Sequence, residues 1–313
     1  MKQSKTTLGL GIICLIAGGA IYFSMGQALA PTPPPLAIDG PETTAQPLSV
    51  LHPIPGGRYL VGKDSGPRHA QPAQQIHLDP FSIERTEVTN AMFGQFVEQT
   101  GYQTDAERRG ESLCFDKQTH QFMKKQGAHW RQPAGPGSSI LGKDDHPVVH
   151  VSWYDANAYA KWAGKSLPTE FQWEAAARGK QLEQDYPWPT TTPRPLESHA
   201  NLWQGAFPLR DQAADGYAEP APVATFPSNA HGLYDMAGNV AEWTSSWYAE
   251  DSLVRIEPRN PFGPRTGELK VVRGGSWLSS DQTGTSEAMV WYRSKLSPEM
   301  SNNFTGFRCI EQN

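Results

Sequence analysis

The sequence predicts one compact α+β domain with little regular secondary structure, preceded by an export segment. The 313 residues include 29 glycines and 27 prolines, both above their usual shares of roughly 7% and 5%, and many turns are therefore expected. Ten tryptophans, ten tyrosines and twelve phenylalanines supply an aromatic core, while charged residues make up only 19%. This composition argues against a helical bundle, a coiled coil or a disordered chain. The net charge of −5 gives no basic surface for nucleic acid.

Residues 1–30 form the predicted signal peptide or membrane anchor. Two lysines precede residues 6–30, an uncharged and largely apolar stretch that is typical of a secretory signal and could also span a bilayer. Ala28-Leu29-Ala30 resembles a cleavage site, but Pro31 should hinder cleavage, so cleavage and retention as an anchor both stay open. Either outcome places the remaining chain outside the cytoplasm, since the lysines favour the cytoplasmic side.

The next boundary separates a linker from the folded domain. Residues 31–50 are rich in Pro and Thr, which predicts an extended linker. Residues 51–313 contain no internal repeat and no second linker of similar length, so one domain is expected. Within it, residues 57–62 predict a strand, and the alternating residues 76–83 predict a second one.

Three helices are predicted by capping residues that precede apolar residues at helical spacing. The first follows Thr89 and ends at Gly101, the second covers residues 155–162, and the third follows Thr169 and ends before Gly179. Beyond this point, Pro- and Gly-rich stretches alternate with short aromatic ones. This pattern indicates an irregular backbone held by side chains or metal ions.

Two polar segments contain the oxygen ligands that calcium prefers, namely carboxylates, amides and backbone carbonyls. Asn, Asp and Gly are also ordinary turn residues, so the pattern alone does not distinguish a calcium site from a turn. The first segment is residues 201–205 together with Asp215-Gly216-Tyr217, and the second is residues 238–243.

The C-terminal stretch from Arg273 is dense in glycine, arginine and aromatic residues. Such a stretch could line a pocket or could form the closing hairpin of the core, and composition does not choose between them. The sequence shows no Ser/His/Asp or Cys/His triad and no phosphate-binding or dinucleotide-binding glycine motif. Its three cysteines, Cys14, Cys114 and Cys309, exclude a disulfide scaffold and a cysteine-based structural zinc site.

Nine segments, in order along the chain, carry a resemblance to a known family. They are residues 55–57 (PGG), 87–90 (EVTN), 130–133 (WRQP), 146–153 (HPVVHVSW), 162–170 (WAGKSLPTE), 201–205 (NLWQG), 232–240 (GLYDMAGNV), 273–277 (RGGSW) and 306–309 (GFRC). Over residues 51–311 the chain resembles the formylglycine-generating enzymes, also called sulfatase-modifying factors. The resemblance implies the family's fold, a relative of C-type lectin-like folds. It also implies two structural calcium ions, one held by Asn201, Leu202, Asp215 and Tyr217 in the first polar segment and one by Asn239, Val240 and Glu242 in the second.

The resemblance fails at the family's catalytic cysteines. Those enzymes oxidise a substrate cysteine with copper and oxygen, and two cysteines after the Gly-Gly-Ser motif hold the copper. Here the first position is Ser279, and the second falls at Gly284 or Thr285. A serine hydroxyl cannot replace a thiolate as a ligand of the soft ion Cu(I), so we predict no copper and no formylglycine-generating activity.

The remaining folded-region cysteines give a weaker expectation. The family's disulfide partner of Cys309 is missing, because the matching helix position is Ala160. In an oxidising compartment Cys309 could instead pair with Cys114, although nothing in the sequence places these two cysteines close together.

The altered pocket leads to two functional hypotheses. Cysteine-free periplasmic relatives include PvdO, tied to the oxidation that matures the siderophore pyoverdine, and NirV, which accompanies a copper nitrite reductase. We expect a periplasmic maturation factor, soluble or tethered to the inner membrane, that oxidises a peptide or siderophore precursor, or else a non-catalytic module that binds a periplasmic enzyme. The candidate residues are Ser276, Ser279 and Glu287 for catalysis, with Glu287 as general base, and Trp291 and Arg293 for substrate binding.

Overall fold

Short strands and short helices alternate along residues 50–179, 184–189, 198–280 and 284–312, which are the residues described by the computed structural model. The helices are α1 (Asn90–Thr100), α2 (Asp105–Arg109), α3 (Trp153–Trp162) and α4 (Glu170–Arg178). The strands are β1 (Leu51–Ile54), β2 (Gly57–Val61), β3 (Gln74–Leu78), β4 (Phe81–Glu84), β5 (Glu111–Asp116), β6 (Gln121–Gln126), β7 (Ala241–Trp247), β8 (Lys270–Arg273), β9 (Ser294–Leu296), β10 (Thr305–Gly306) and β11 (Ile310–Gln312). The predicted export segment and nearly all of the predicted linker lie outside the described residues.

The helices begin at residues whose side chains accept a backbone hydrogen bond. Thr89 Oγ1 accepts from the Met92 amide at 3.3 Å, and α1 ends at Gly101 with a φ of 68°. Ser152 and Thr169 cap α3 and α4 in the same way. The three predicted helices are therefore confirmed, with α3 beginning two residues earlier than expected. The short helix α2 was missed.

The strand predicted over residues 76–83 is wrong as a single element. It consists of β3, which pairs with β2, and β4, which pairs with β1 and β11 in a different sheet. Pro80 lies at the break and cannot donate a ladder hydrogen bond. The strand predicted at residues 57–62 is confirmed as β2.

A four-stranded sheet in the order β10-β7-β8-β9 positions the C-terminal motifs. In the β7–β8 pair, Glu242 lies opposite Arg273, and β8 runs directly into the Gly274-Gly275 turn. The chain returns to this sheet at Ser294, where β9 begins. The segment between Arg273 and Ser294 is thus held at both ends by neighbouring strands.

Buried ion pairs hold the irregular part of the domain to α4. Arg273 contacts Glu174 at 2.5 Å, and Arg293 and Glu170 are both almost fully buried and paired. Tryptophan rings pack among these pairs: Trp173 Nε1 donates to Glu242 at 2.7 Å. Long-range side-chain contacts of this kind replace regular secondary structure in the core.

Both described cysteines are buried free thiols. Cys114 on β5 has its sulfur 3.7 Å from the Pro133 carbonyl, whereas Cys309 packs in a core cluster with Tyr159 and Ala160. The expected pairing of Cys114 with Cys309 is therefore not found. Among the described residues, no helix combines the length and apolar character needed to cross a bilayer.

Candidate functional site

The candidate site is built around a turn that only glycine allows. Gly275 has a φ of +65°, and a Cβ there would lie 2.7 Å from the Ala288 amide nitrogen and 2.8 Å from both the Glu287 carbonyl carbon and Ser279 Oγ. These distances are far below van der Waals contact. The missing side chain lets residues 287–288 pack directly against the turn.

The three predicted catalytic residues lie in one hydrogen-bonded chain. The Ser276 amide donates to Ser279 Oγ at 3.0 Å, and Ser279 Oγ donates to Glu287 Oε2 at 3.2 Å. The Ser279 carbonyl accepts from the Trp203 amide at 3.0 Å, which fixes the backbone of this serine. Their proximity is established, whereas their catalytic role stays a prediction.

Glu287 combines solvent access with dense surroundings. The residue is exposed. Desolvation by the surrounding protein raises the pKa of its carboxyl group, and the hydroxyls of Ser279 and Ser294 oppose this rise without cancelling it. Glu287 is thus a solvent-accessible carboxylate that accepts a hydrogen bond from Ser279.

The sequence analysis missed two titratable groups: Tyr292, whose pKa Glu287 affects, and His69, which packs against Tyr292. Tyr292 packs edge-on against His69, with ring centroids 4.8 Å apart. Burial, Glu287 and Tyr248 together raise the pKa of Tyr292 to about 12, while burial and neighbouring cations, first among them Arg293, lower the pKa of His69 to about 4. Both side chains are neutral at pH 7. No sequence signal links His69 to a motif more than 200 positions away.

The Trp291 and Arg293 side chains are buried and point into the protein. Trp291 Nε1 donates to Asp185 Oδ1 at 2.7 Å. Arg293 donates to Glu170 Oε1 at 2.9 Å and to the His69 carbonyl at 2.8 Å, and only 3% of it is exposed. In this structure Arg293 has a structural role instead of the expected contact with substrate. A substrate role for Trp291 stays a prediction.

The first candidate calcium segment brings oxygen atoms together. The Leu202 carbonyl and Asp215 Oδ2 both accept from the Gln204 side-chain amide, and the Tyr217 amide donates to Asp215 Oδ1. Asn201 is buried, and its Oδ1 has no hydrogen-bond partner. An unpartnered amide oxygen beside a carboxylate and a carbonyl fits a hard cation.

The side chains of the second candidate segment have partners within the protein, and its role as a calcium site stays a prediction. Asn239 Oδ1 accepts from the Ala221 amide, its Nδ2 donates to Glu87, and Glu242 is paired with Arg308. Both predicted side chains therefore already have protein partners, while Val240 is fully buried.

Unexpected carboxylates surround the Glu242–Arg308 pair. Glu87 is fully buried with Oε2 unpartnered, and burial with Asp235 nearby raises its pKa well above the usual range. Burial also raises the pKa of Asp235 to about 6. Of these three carboxyl groups Arg308 is hydrogen-bonded to Glu242 alone, and the raised pKa values mean that protons offset part of the charge of Glu87 and Asp235. No group of three His, Cys, Asp or Glu side chains within the described residues has metal-binding geometry.

The fold and the site together define a C-type lectin-like scaffold that carries a serine and a carboxylate at its glycine turn. The sulfatase-modifying factor enzyme 1-like domain model matches residues 39–313, and the chain belongs to the formylglycine-generating enzyme family. The model match begins 12 residues before the predicted domain start at residue 51.

Similar proteins include some named as formylglycine-generating enzymes and some named as inactive. The formylglycine-generating enzyme of Thermomonospora curvata is 43% identical, with 82% of this chain and 91% of the relative covered. That of Streptomyces coelicolor is 40% identical, with 90% and 95% covered. The inactive C-alpha-formylglycine-generating enzyme 2 of Mus musculus is 41% identical, with 85% and 86% covered.

Solved structures share the fold at lower identity. PvdO from Pseudomonas aeruginosa has a TM-score of 0.65 and 23% identity, with 84% of this chain and 94% of that chain covered. Treponema denticola variable protein 1 has a TM-score of 0.61 and 21% identity, with 88% and 100% covered. The predicted α+β fold of a single compact domain is confirmed.

Proposed function

We propose that this protein is a family member without formylglycine-generating activity that acts on an exported peptide carrying an oxidisable group, such as a pyoverdine-type siderophore precursor. The observation that supports the proposal is the Ser279–Glu287 hydrogen bond of 3.2 Å at the position where the family holds copper with thiolates. A hydroxyl and a carboxylate are poor ligands for Cu(I). They are instead suited to moving a proton.

In the proposed reaction Glu287 is the general base. Its raised pKa, caused by burial, brings it closer to neutral pH than an ordinary carboxylate, and the most effective catalytic base has a pKa near the working pH. Glu287 removes one proton from the substrate, Ser279 holds the carboxylate in place, and dioxygen accepts two electrons and two protons to give hydrogen peroxide. The substrate leaves with one additional double bond.

A second candidate function is that of a non-catalytic module that binds a periplasmic enzyme. The specific observation in its favour is the 41% identity to a relative named inactive. The burial of Arg293 also removes one of the groups expected to bind a substrate. In this case the surface around Ser279 and Glu287 would bind a segment of the partner and leave that segment chemically unchanged.

Incubation of the purified protein with a dihydro-pyoverdine and dioxygen distinguishes the two candidates. A catalyst produces the conjugated chromophore and one equivalent of hydrogen peroxide, and Glu287→Gln lowers the rate by about 100-fold or more, the usual contribution of a general base. Glu268→Gln, which removes the same charge at an exposed position, should leave the rate unchanged. No turnover, together with co-purification of an intact redox enzyme, would support the binding module instead.

We further propose two structural calcium ions and a periplasmic location. The unpartnered Asn201 Oδ1 supports the first ion. Asn201, Leu202, Asp215 and Tyr217 would hold it and tie the 201–217 loop together, and Asn239, Val240 and Glu242 would hold the second ion, as the family resemblance implies. The lysines and apolar stretch at the start of the chain support export, and a reporter fused after residue 50 would test it.

A further inference from the structure

A fully buried histidine, His150, lies outside the candidate site and has a hydrogen-bond partner at each ring nitrogen. Its Nε2 is 2.9 Å from the Pro133 carbonyl oxygen, and its Nδ1 is 2.8 Å from Ser112 Oγ. A carbonyl oxygen can only accept, so Nε2 carries the hydrogen. Nδ1 of the neutral ring is then an acceptor, and the Ser112 hydroxyl donates to it. These contacts fix one tautomer of His150.

Two further contacts extend these hydrogen bonds from Ser112 to the protein surface. Ser112 Oγ is 2.8 Å from Ser301 Oγ, and both serines are almost fully buried. The exposed Arg109 donates from Nη2 to Ser301 Oγ at 2.8 Å. A guanidinium can only donate, so the hydrogen of the Ser301 hydroxyl is directed to Ser112. The His150 chain, formed by Arg109, Ser301, Ser112, His150 and the Pro133 carbonyl, therefore runs in one direction from an obligate donor to an obligate acceptor.

The His150 chain lies where residues 301–303 run beside β5. The Phe115 amide donates to Asn303 Oδ1 at 3.0 Å, and Asn303 Nδ2 donates to the Phe115 carbonyl at 3.3 Å. The Phe115 ring packs edge-on against Trp203, with ring centroids 5.8 Å apart. The Trp203 amide donates to the Ser279 carbonyl, so the contact between β5 and residues 301–303 supports the backbone beside the candidate site.

We propose that the His150 chain is an acid-sensitive latch: a second proton on His150 separates residues 301–303 from β5 and loosens the support of the candidate site. With a hydrogen on Nδ1 the ring only donates, so Ser112 has to turn its own hydrogen towards Ser301. The Ser301 hydroxyl then loses its acceptor, because Arg109 on its other side only donates. The new charge also lies in a fully buried place where both ring partners are uncharged, which is costly.

The charged groups around His150 oppose a second proton. Burial lowers the pKa of His150 to about 4 against the hydrogen bond to Pro133, and His129 adds to the decrease. From β5, the Cys114 thiol lies 3.7 Å from the Pro133 carbonyl, and burial raises its pKa to about 11, so it stays neutral. From α2, Arg109 supplies a positive charge, while the C-terminal segment beside β5 contributes no titratable side chain. Since an unfolded histidine has a pKa of about 6.5, the stability that the neutral ring contributes is lost as the pH falls from about 6.5 towards 4.

Nitrogen-15 NMR of the histidine rings in the full-length protein tests the tautomer and its titration directly. The His150 ring should carry its hydrogen on Nε2 and keep Nδ1 unprotonated down to about pH 5, whereas an exposed histidine titrates at about pH 6.5. His150→Asn identifies the signal, since asparagine tolerates the left-handed φ of 61° at this position. A hydrogen on Nδ1 at pH 7, or titration together with the exposed histidines, would overturn the inference.

Hydrogen exchange followed by mass spectrometry measures the release itself. In the unmodified protein, the amides of β5 and of residues 301–303 should lose protection by about ten-fold or more between pH 7 and pH 4, after correction for intrinsic rates, whereas β2 should keep its protection. This loss should be absent in His150→Asn and present in His120→Asn, the matched control, because His120 also has a left-handed φ, of 56°. Unchanged protection of β5 in the unmodified protein, or an equal loss in His150→Asn, would contradict the latch.

Discussion

The C-terminal part of the chain contacts glutamates in two regions that differ in whether the carboxylate is paired with an arginine. In the core, Arg273, Arg293 and Arg308 each pair with a buried glutamate. At the glycine turn, Glu287 accepts a hydrogen bond from Ser279 and forms no ion pair with another described residue. The core glutamates stabilise the fold, whereas Glu287 is available to a ligand. The two regions adjoin along the chain, because Arg293, which belongs to the core, is followed directly by Ser294, which lies beside Glu287.

The largest effect is expected in the core. Arg293→Met leaves Glu170 buried and without its partner, which should lower the free energy of unfolding by about 3–5 kcal/mol. Urea denaturation followed by tryptophan fluorescence measures it. Arg259→Met, at an exposed ion pair, is the control and should cost about 1 kcal/mol or less. If the double change Glu170→Gln with Arg293→Met were no more stable than Arg293→Met alone, the ion-pair explanation would fail.

Removal of calcium is expected to have the next largest effect. A ligand at 100 times its dissociation constant stabilises the native state by about 2.7 kcal/mol, so chelation with EGTA should lower the melting temperature by several degrees. Asp215→Asn should reduce this shift, because it weakens a carboxylate that the first site requires. Asp211→Asn, in the same loop, is the matched control. A melting temperature that does not respond to EGTA would contradict the calcium proposal.

A buried carboxylate away from both regions predicts a dependence on pH. Asp155 accepts from the Asp105 and Ser152 amides, at the starts of α2 and α3. Burial and Asp105 raise its pKa to about 7, so between pH 4 and 7 the folded state binds more protons than the unfolded state. Its contribution to stability should therefore decrease as the pH rises through this window.

The pH dependence is tested by measuring the unfolding free energy of the calcium-free Asp155→Asn variant against pH. The slope of unfolding free energy against pH between 4 and 7 should be less negative than in the unmodified protein, by up to about 1.4 kcal/mol per pH unit. Asp251→Asn, at an exposed position, should leave the slope as it is. Identical slopes in all three proteins would show that Asp155 does not titrate in this range.

Substitution of Glu287 is expected to change the stability only slightly. Burial raises the pKa of Glu287, so its ionised form is not a net source of stability at pH 7. Glu287→Gln should therefore leave the melting temperature unchanged or slightly raise it, in contrast to Arg293→Met. A marked loss of stability in thermal unfolding would mean that Glu287 belongs with the core glutamates after all.

The smallest expected signal is copper-dependent oxidation of a thiol. A Cys-x-Pro-x-Arg peptide incubated with the protein, copper and dioxygen should keep its thiol and gain no aldehyde, as mass spectrometry would show. The formylglycine-generating enzyme of Streptomyces coelicolor serves as the positive control. If the protein converted the peptide thiol to an aldehyde faster than copper alone does, the conclusion that Ser279 abolishes the copper-dependent activity would be wrong.

The sequence was sufficient where the evidence is local. The caps at Thr89 and Thr169 follow from short patterns, whereas the grouping of Ser276, Ser279 and Glu287 as candidate site residues followed from the family resemblance. The sequence was insufficient where partners are distant along the chain. His69 meets Tyr292 across more than 200 residues, and Glu87 joins Asp235 and Glu242 through the fold alone. The orientation of Arg293 was wrong for the same reason, because its partner lies on α4.

The junction at which β9 begins makes the surroundings of Glu287 sensitive to chain length. Arg293 pairs with Glu170, and Ser294 follows it at the start of β9, beside Glu287. Insertion of a single residue before Arg293 would move each following side chain to the opposite side of the strand. Arg293 would then take the place of Ser294 beside Glu287, while Tyr292 or the inserted residue would take the place of Arg293 opposite Glu170. Variation in the 280–290 loop is therefore compatible with the site only if the register of these two residues is kept.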